Sequence, residues 1–184
     1  MGKIKFSEIK DKIRNNRGFN SIKEIKEAGL RVVKTKNGDY WLIEEEYLKP
    51  VIKSPRELKT IVVREEDLKY KVLMCHKSKT ELKREDAFVL DYIKWGEKMG
   101  FNKRPTCRSR KRWWELGIID VNIAFPSTHN PSWAVFFNPL SFYMDKVFYG
   151  IKGDIDLCLK LNSFLFLLFA ENFGYALVGV EVPS

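Results

Sequence analysis

The part of the sequence best suited to chemistry is a run of cations between residues 103 and 114, here called the basic segment. It contains six Lys or Arg residues and no Asp or Glu, and it ends in two tryptophans. Cationic side chains neutralise phosphates and release counterions, and flat aromatic rings stack on bases or insert between them. The segment therefore predicts a nucleic-acid surface made of Lys103, Arg104, Arg108, Ser109, Arg110, Lys111, Arg112, Trp113 and Trp114.

A plainer interpretation of the basic segment is a solvated loop that leads into the protein core. Pro105 and the neighbouring Ser and Thr residues favour a loop in either interpretation. Because alternate residues of an extended run face opposite sides, we expect at least one of Trp113 and Trp114 to anchor the core. We expect base edges to be read by Ser109 and by a second loop containing Thr128, His129 and Asn130.

The net charge of +9 favours a polyanionic partner, and its distribution strengthens that inference. Residues 1–112 hold 30 Lys and Arg against 17 Asp and Glu, whereas residues 113–184 hold 3 against 7. The Lys- and Glu-rich surface of a thermophilic protein would explain the high charge content. It would not explain so large an imbalance, so we favour nucleic acid.

One short motif resembles an enzyme signature. Asn130-Pro131-Ser132-Trp133 differs by one residue from the Asn-Pro-Pro-aromatic signature of amino-group DNA methyltransferases, in which the flipped base is held by Asn and stacked on the aromatic ring. The second proline is missing, and no glycine-rich turn that would bind S-adenosylmethionine precedes the motif. We interpret the match as chance and predict no catalytic residue, with a methyltransferase fragment as the alternative.

Nuclease and metal chemistry find no support either. Glu57-Leu58-Lys59 fits the Glu-x-Lys part of a nuclease site, but the same spacing recurs at three other places in this Lys- and Glu-rich chain. His76 and His129 are the only histidines, and neither has a partner at metal-ligand spacing. The three cysteines are too far apart in sequence for a Cys-x-x-Cys motif. We predict no metal and no cofactor for this chain.

The predicted elements that would position these residues include both helices and strands. Capping-box spacing at Ser21–Glu24 and Ser78–Glu81 starts two helices, the second of which is predicted to continue to Gly100. Asn37-Gly38 predicts a hairpin. Two short helices before a hairpin also resemble a winged helix. We further predict a break at 47–50, strands at 60–63, 70–74, 118–123, 133–137, 146–151 and 176–182, and a helix at 155–173.

This order of elements predicts an α+β fold with mixed sheets and packed helices. We predict that residues 1–46 form a helical and hairpin segment packed on a main domain at 47–184. The longest apolar stretch, 163–170, is far shorter than the about 20 residues that span a bilayer, and the N-terminus lacks the apolar run of a secretory signal. We therefore expect no membrane partner and a cytoplasmic location.

Four separated fragments, in order, resemble the TaqI-like C-terminal specificity domain of adenine-specific DNA methyltransferases and type II restriction–modification enzymes. These fragments are Tyr47-Leu48-Lys49-Pro50-Val51-Ile52-Lys53, Arg112-Trp113-Trp114-Glu115-Leu116, Asp145-Lys146-Val147-Phe148-Tyr149-Gly150-Ile151 and Leu161-Asn162-Ser163. In the second fragment Trp114 replaces the usual Tyr. The resemblance extends over about residues 40–175.

The resemblance implies a DNA target-recognition domain at 47–184 that binds duplex DNA beside a methyltransferase catalytic domain. That catalytic domain would bind S-adenosylmethionine and methylate the adenine, so we expect no enzyme activity from this chain alone. A basic module that binds RNA or another protein remains the alternative.

Overall fold

The computed structural model describes residues 5–117, 120–127, 134–163 and 166. The chain divides into two compact units, each built from two segments. Unit 1 contains residues 5–48 and Leu73–Leu116, and unit 2 contains Lys49–Val72 and the described residues from Gly117 onward. Helices and three small sheets confirm the predicted α+β class. The domain boundary near residue 47 stays a prediction.

Helices and strands are short throughout the described residues. The α-helices are α1 Phe6–Ile9, α2 Ile22–Glu27, α3 Lys79–Arg84, α4 Val89–Lys98, α5 Pro105–Arg108 and α6 Ile155–Leu161. The strands are β1 Leu30–Lys34, β2 Tyr40–Glu44, β3 Leu48–Ile52, β4 Tyr70–Leu73, β5 Ile123–Pro126, β6 Phe136–Phe137, β7 Tyr143–Met144 and β8 Phe148–Ile151. Several single 3-10 turns connect them.

Unit 1 is built around the predicted hairpin, which the structure confirms. Strands β1 and β2 pair antiparallel around Asn37-Gly38, and Gly38 has a φ of 89° that favours glycine. Side chains of β2 alternate between two clusters, as the pleat requires. Tyr40 and Leu42 pack with α1 and α2, and the opposite face packs with the core of α3 and α4, including Trp41, Ile43, Leu82, Val89, Leu90, Ile93 and Trp114.

The single helix predicted from Ser78 to Gly100 is wrong, because the chain forms α3 and α4 instead. The capping box at Ser78 is present as predicted, but α3 ends at Arg84 and Asp86 adopts a φ of 50°. Helix α4 begins shortly afterwards, at Val89. The carboxylate of Glu44 accepts hydrogen bonds from the backbone N–H groups of Phe88 and Val89, at 2.5 and 3.0 Å, and so caps α4 from a strand distant in sequence.

Unit 2 contains two three-stranded sheets, ordered β4-β3-β7 and β6-β5-β8. The break predicted at 47–50 is wrong, because β3 passes through Pro50. Its parallel pairing with β7 joins Val51 to Tyr143 and Ile52 to Met144, beyond the proline that lacks an N–H. The strand predicted at 60–63 reduces to one bridge between Val62 and Phe137.

Other predicted boundaries in unit 2 shift. Strand β8 begins at Phe148 rather than residue 146, because the N–H of Phe148 donates to Asp145 O and closes a turn. Strand β5 begins at Ile123, where the prediction had a strand ending, and β6 covers only the last two residues of its predicted range. Helix α6 ends at Leu161. The strand predicted at 176–182 lies outside the described residues.

Candidate nucleic-acid interface

The basic segment follows α4 after a short turn. Gly100 adopts a left-handed φ of 73°, and a 3-10 turn at Phe101–Lys103 leads into α5, which has Pro105 at its first position. Residues 103–108 thus lie along two linked helical turns, more regular than the predicted loop, and residues 109–114 lie outside helices and strands. Proline is suited to the first helical position because its missing N–H would have no helical partner there.

Five cations of the basic segment, here called the unpaired cations, make no ion pair within the described part of the chain. Arg110 is half-buried and its Nη1 donates to Trp113 O at 3.4 Å. Arg104 is exposed, and its guanidinium carbon lies 4.3 Å from the centre of the Phe101 ring. The unpaired cations are Lys103, Arg104, Arg108, Arg110 and Lys111, and Ser109 is exposed among them.

Arg112 differs from the unpaired cations because a carboxylate holds it. Its Nη1 donates to Glu115 Oε2 at 2.6 Å, and the other oxygen of Glu115 accepts from His76 Nδ1 at 2.8 Å. The two donors, His76 first and then Arg112, lower the pKa of Glu115. Sequence reasoning gave no role to Glu115 or His76, because the 39 positions that separate them conceal the contact.

The two tryptophans both pack inside unit 1. Trp114 is buried in the core, which confirms that at least one of the pair anchors it. Trp113 is half-buried, and its Nε1 donates to Glu97 Oε1 at 3.2 Å. A Cβ atom added at Gly96 would lie only 2.3 Å from Trp113 Cη2. Stacking of either ring on a base stays a prediction.

The rest of the predicted site lies outside the residues that the structure describes. Thr128, His129 and Asn130, and with them the motif that ends at Trp133, fall outside the described residues. Within the described ranges no group of three or more His, Cys, Asp or Glu side chains is placed to hold a metal ion. Nor is any helix in those ranges long and apolar enough to cross a membrane.

Counted by unit instead of by position along the chain, the charge is again uneven. The two segments of unit 1 hold 23 Lys and Arg against 14 Asp and Glu. The two segments of unit 2 hold 10 of each. The whole net charge of +9 therefore belongs to the unit that carries the basic segment.

A family model described as the C-terminal domain of the type II methyltransferase M.Eco57I matches residues 7–154, well over half of the chain. The chain belongs to the M.Eco57I C-terminal domain family. This match confirms the resemblance to a C-terminal domain of type II methyltransferases, under the M.Eco57I description rather than the TaqI-like one. No curated protein and no solved structure matches the chain.

In this member of the M.Eco57I C-terminal domain family, the fragments that carried the resemblance make internal contacts. Lys53, at the end of the first fragment, forms an ion pair with Asp145, which opens the third. The N–H of Asp145 also donates to Ile52 O at 2.9 Å. In the fourth fragment, Asn162 Oδ1 and Nδ2 pair with the N–H and C=O of Val135, at 2.9 and 2.8 Å. These contacts give the first, third and fourth fragments a structural role within the fold.

Proposed function

We propose that this chain is the DNA-recognition domain of a type II DNA methyltransferase or restriction–modification enzyme. It binds duplex DNA and positions a target adenine for a separate catalytic domain. The observation that carries the proposal is the cluster of unpaired cations on one short segment, in the unit that holds the whole net charge. Membership of the M.Eco57I C-terminal domain family supports it, since that domain is a part of a methyltransferase.

The unpaired cations suit phosphate contact for an electrostatic reason. A cation already held by a carboxylate must give up that ion pair, or share it, when a phosphate approaches. The unpaired cations carry no such cost, so each neutralised phosphate releases counterions into solution. Phosphate contacts fix the position of the protein on the duplex but do not read the sequence. In this proposal the reading residues lie elsewhere, in Ser109 and the loop with Thr128, His129 and Asn130.

The catalytic domain would supply S-adenosylmethionine binding and methyl transfer, and this chain neither. A domain with this task would work in the cytoplasm of a prokaryotic cell, next to its DNA. Calorimetry with S-adenosylmethionine tests the division of labour, and we expect no heat of binding with this chain. A saturable heat would contradict it and would favour a methyltransferase fragment that uses the motif beginning at Asn130.

The central experiment is fluorescence anisotropy of a labelled random-sequence duplex titrated with the chain at several salt concentrations. If the five unpaired cations each contact a phosphate, log K should fall with log salt at a slope near −4.5, or about 0.9 per contact. Absence of binding at low salt would contradict independent DNA binding. Competition by duplex RNA of the same sequence separates DNA recognition from the RNA-binding alternative, because A-form geometry changes every contact.

A further inference from the structure

Glu115 is an acidic residue placed directly after the most basic part of the chain. Its carboxylate forms an ion pair with Arg112 and a hydrogen bond with His76, a residue that follows β4 by three positions. The side chains of Arg112 and Glu115 are each 22% exposed, so this link is partly shielded from solvent. An acid this close to a phosphate-binding surface requires an explanation, since its charge repels phosphate.

The surrounding contacts show what the carboxylate holds in place. The backbone just before it is anchored by Trp113, whose indole N–H donates to Glu97, and Glu97 is also paired with Lys79 at 2.6 Å. The N–H of Glu115 donates to Arg112 O at 3.0 Å and closes a turn. At the opposite end of the segment, Arg104 lies over the Phe101 ring. That ring in turn packs edge-on against Trp95 of α4, with 5.4 Å between the ring centres, so both ends of the segment contact the body of unit 1.

We propose that Glu115 is a positioning residue for DNA binding, which acts by holding Arg112 and so fixes the presentation of the unpaired cations. This inference rests on the proposed function, and it gives Arg112, which the sequence predicted as part of the nucleic-acid surface, a supporting role instead. A turn fixed before binding loses less conformational freedom on the DNA, so its cations bind more tightly.

The direction in which one substitution changes DNA affinity separates this role from simple electrostatics. Glu115→Gln keeps the size of the side chain but removes a negative charge near the DNA. General electrostatics predicts equal or tighter binding to a polyanion. Positioning predicts weaker binding, by about fivefold to tenfold at moderate salt, because the charge-assisted hydrogen bonds from Arg112 and His76 are lost. Equal or tighter binding would overturn the proposal.

The matched control is Glu27→Gln, which removes an exposed carboxylate that pairs with Lys23 on α2, also in unit 1. We expect this control to bind DNA as the unmodified chain does, or slightly more tightly. Thermal melting of each variant, recorded first, shows that it is folded at the assay temperature. If Glu115→Gln is not, Glu115→Asp replaces it, since it keeps the charge but shortens the reach to Arg112. We expect weaker binding from it as well.

A double-mutant cycle with Arg112→Ala tests whether Arg112 acts through Glu115. If it does, the double variant binds no more weakly than the weaker single variant, because both remove one contact. If the losses of affinity in the two single variants multiply in the double variant, Arg112 contacts phosphate by itself, and the proposal is overturned. Arg112→Lys keeps the ion pair and should recover most of the affinity. If the unmodified chain itself does not bind DNA, independent DNA binding is contradicted. A loss confined to the variants leaves independent DNA binding intact.

Discussion

At the scale of residues, three asparagine side chains form hydrogen bonds with the backbone that sequence patterns do not predict. Asn15 and Asn162 each pair through both side-chain atoms with the N–H and C=O of a residue 27 positions away, and Asn138 does the same with Phe142, four positions along. The side-chain amide has a donor and an acceptor in one plane, as the backbone has, so it replaces a missing strand neighbour. Of the three, only Asn162 belonged to a fragment with a recognised resemblance, which marked its importance without its role.

The ion pair between Lys53 and Asp145 leads to a pH-dependence prediction for unit 2. The pKa of Asp145 is lowered, chiefly by the hydrogen bond from Lys53 and also by the N–H of Lys146. A carboxyl whose pKa is lower in the folded state stabilises the fold above its ordinary value near 3.8. That contribution is lost as the pH falls through the folded-state pKa. Both partners are partly exposed, so we expect at most about 1 kcal/mol.

Urea unfolding between about pH 6 and pH 2 measures this contribution. Asp145→Asn should be less stable than the unmodified chain at neutral pH, and the difference should shrink as acid protonates the carboxylate. Asp120→Asn, which removes a highly exposed carboxylate paired with Lys152, is the control and should change little. A difference that stays constant with pH would mean that the ionised form of Asp145 contributes nothing.

At the scale of elements, each short helix depends on contacts made by other parts of the chain. Helix α4 begins at a cap supplied by Glu44 of β2, and a glycine on one face admits the Trp113 ring. Helices of four to ten residues are marginal in water by themselves. Their positions are therefore set by packing, and the exit of α4 into the basic segment depends on the fit at Gly96.

The substitution Gly96→Ala tests that fit. Helix propensity alone predicts stabilisation, by about 0.5–1 kcal/mol, since Gly96 lies inside α4. The added Cβ, however, would lie 2.3 Å from Trp113 Cη2 and 2.8 Å from Cζ2. We expect this overlap to dominate, with a net loss of about 1–3 kcal/mol in urea unfolding. Gly117→Ala, where an added Cβ meets nothing within 4 Å, is the control, and stabilisation by Gly96→Ala would refute the close fit.

At the scale of the whole molecule, the two structural units do not coincide with the basic and acidic parts of the sequence. The basic front and acidic back of the sequence become a basic unit 1 and a neutral unit 2, because the chain passes between the units three times. Residues 49–72 carry 7 Lys and Arg against 4 acids and offset the acidic C-terminal part within unit 2. Under the proposed function, long-range attraction to DNA would therefore come from unit 1.

Removing equal charge from each unit tests this division. The triple variant Arg108→Ala, Arg110→Ala and Lys111→Ala should weaken duplex binding regardless of sequence, and should flatten the salt slope by about 2.7, or 0.9 per contact. The matched control replaces two arginines and one lysine of unit 2 that are exposed and make no ion pair within the described residues: Arg56, Arg64 and Lys69. Equal losses in the two variants would show that charge, and not the basic segment, governs binding.

Local chemistry was predictable where neighbours in sequence decide it. The hairpin at Asn37-Gly38, the capping box at Ser78 and the burial of at least one of Trp113 and Trp114 all follow from short-range rules, and the structure confirms them. The failures share one cause. The cap from Glu44 that divides the predicted helix, and the pairing that makes Pro50 part of a strand, both depend on groups distant in sequence.

The sequence by itself determined the α+β class, the family and the excess of cations between residues 103 and 112, because composition and short motifs carry that information. Only the tertiary structure decided which of those cations are unpaired. Glu115 lies three residues from Arg112 and could have been suspected, but His76 and Glu97 reach the segment through folding alone. A charge becomes available to a ligand only when no other part of the fold neutralises it, and the order of residues does not record that competition.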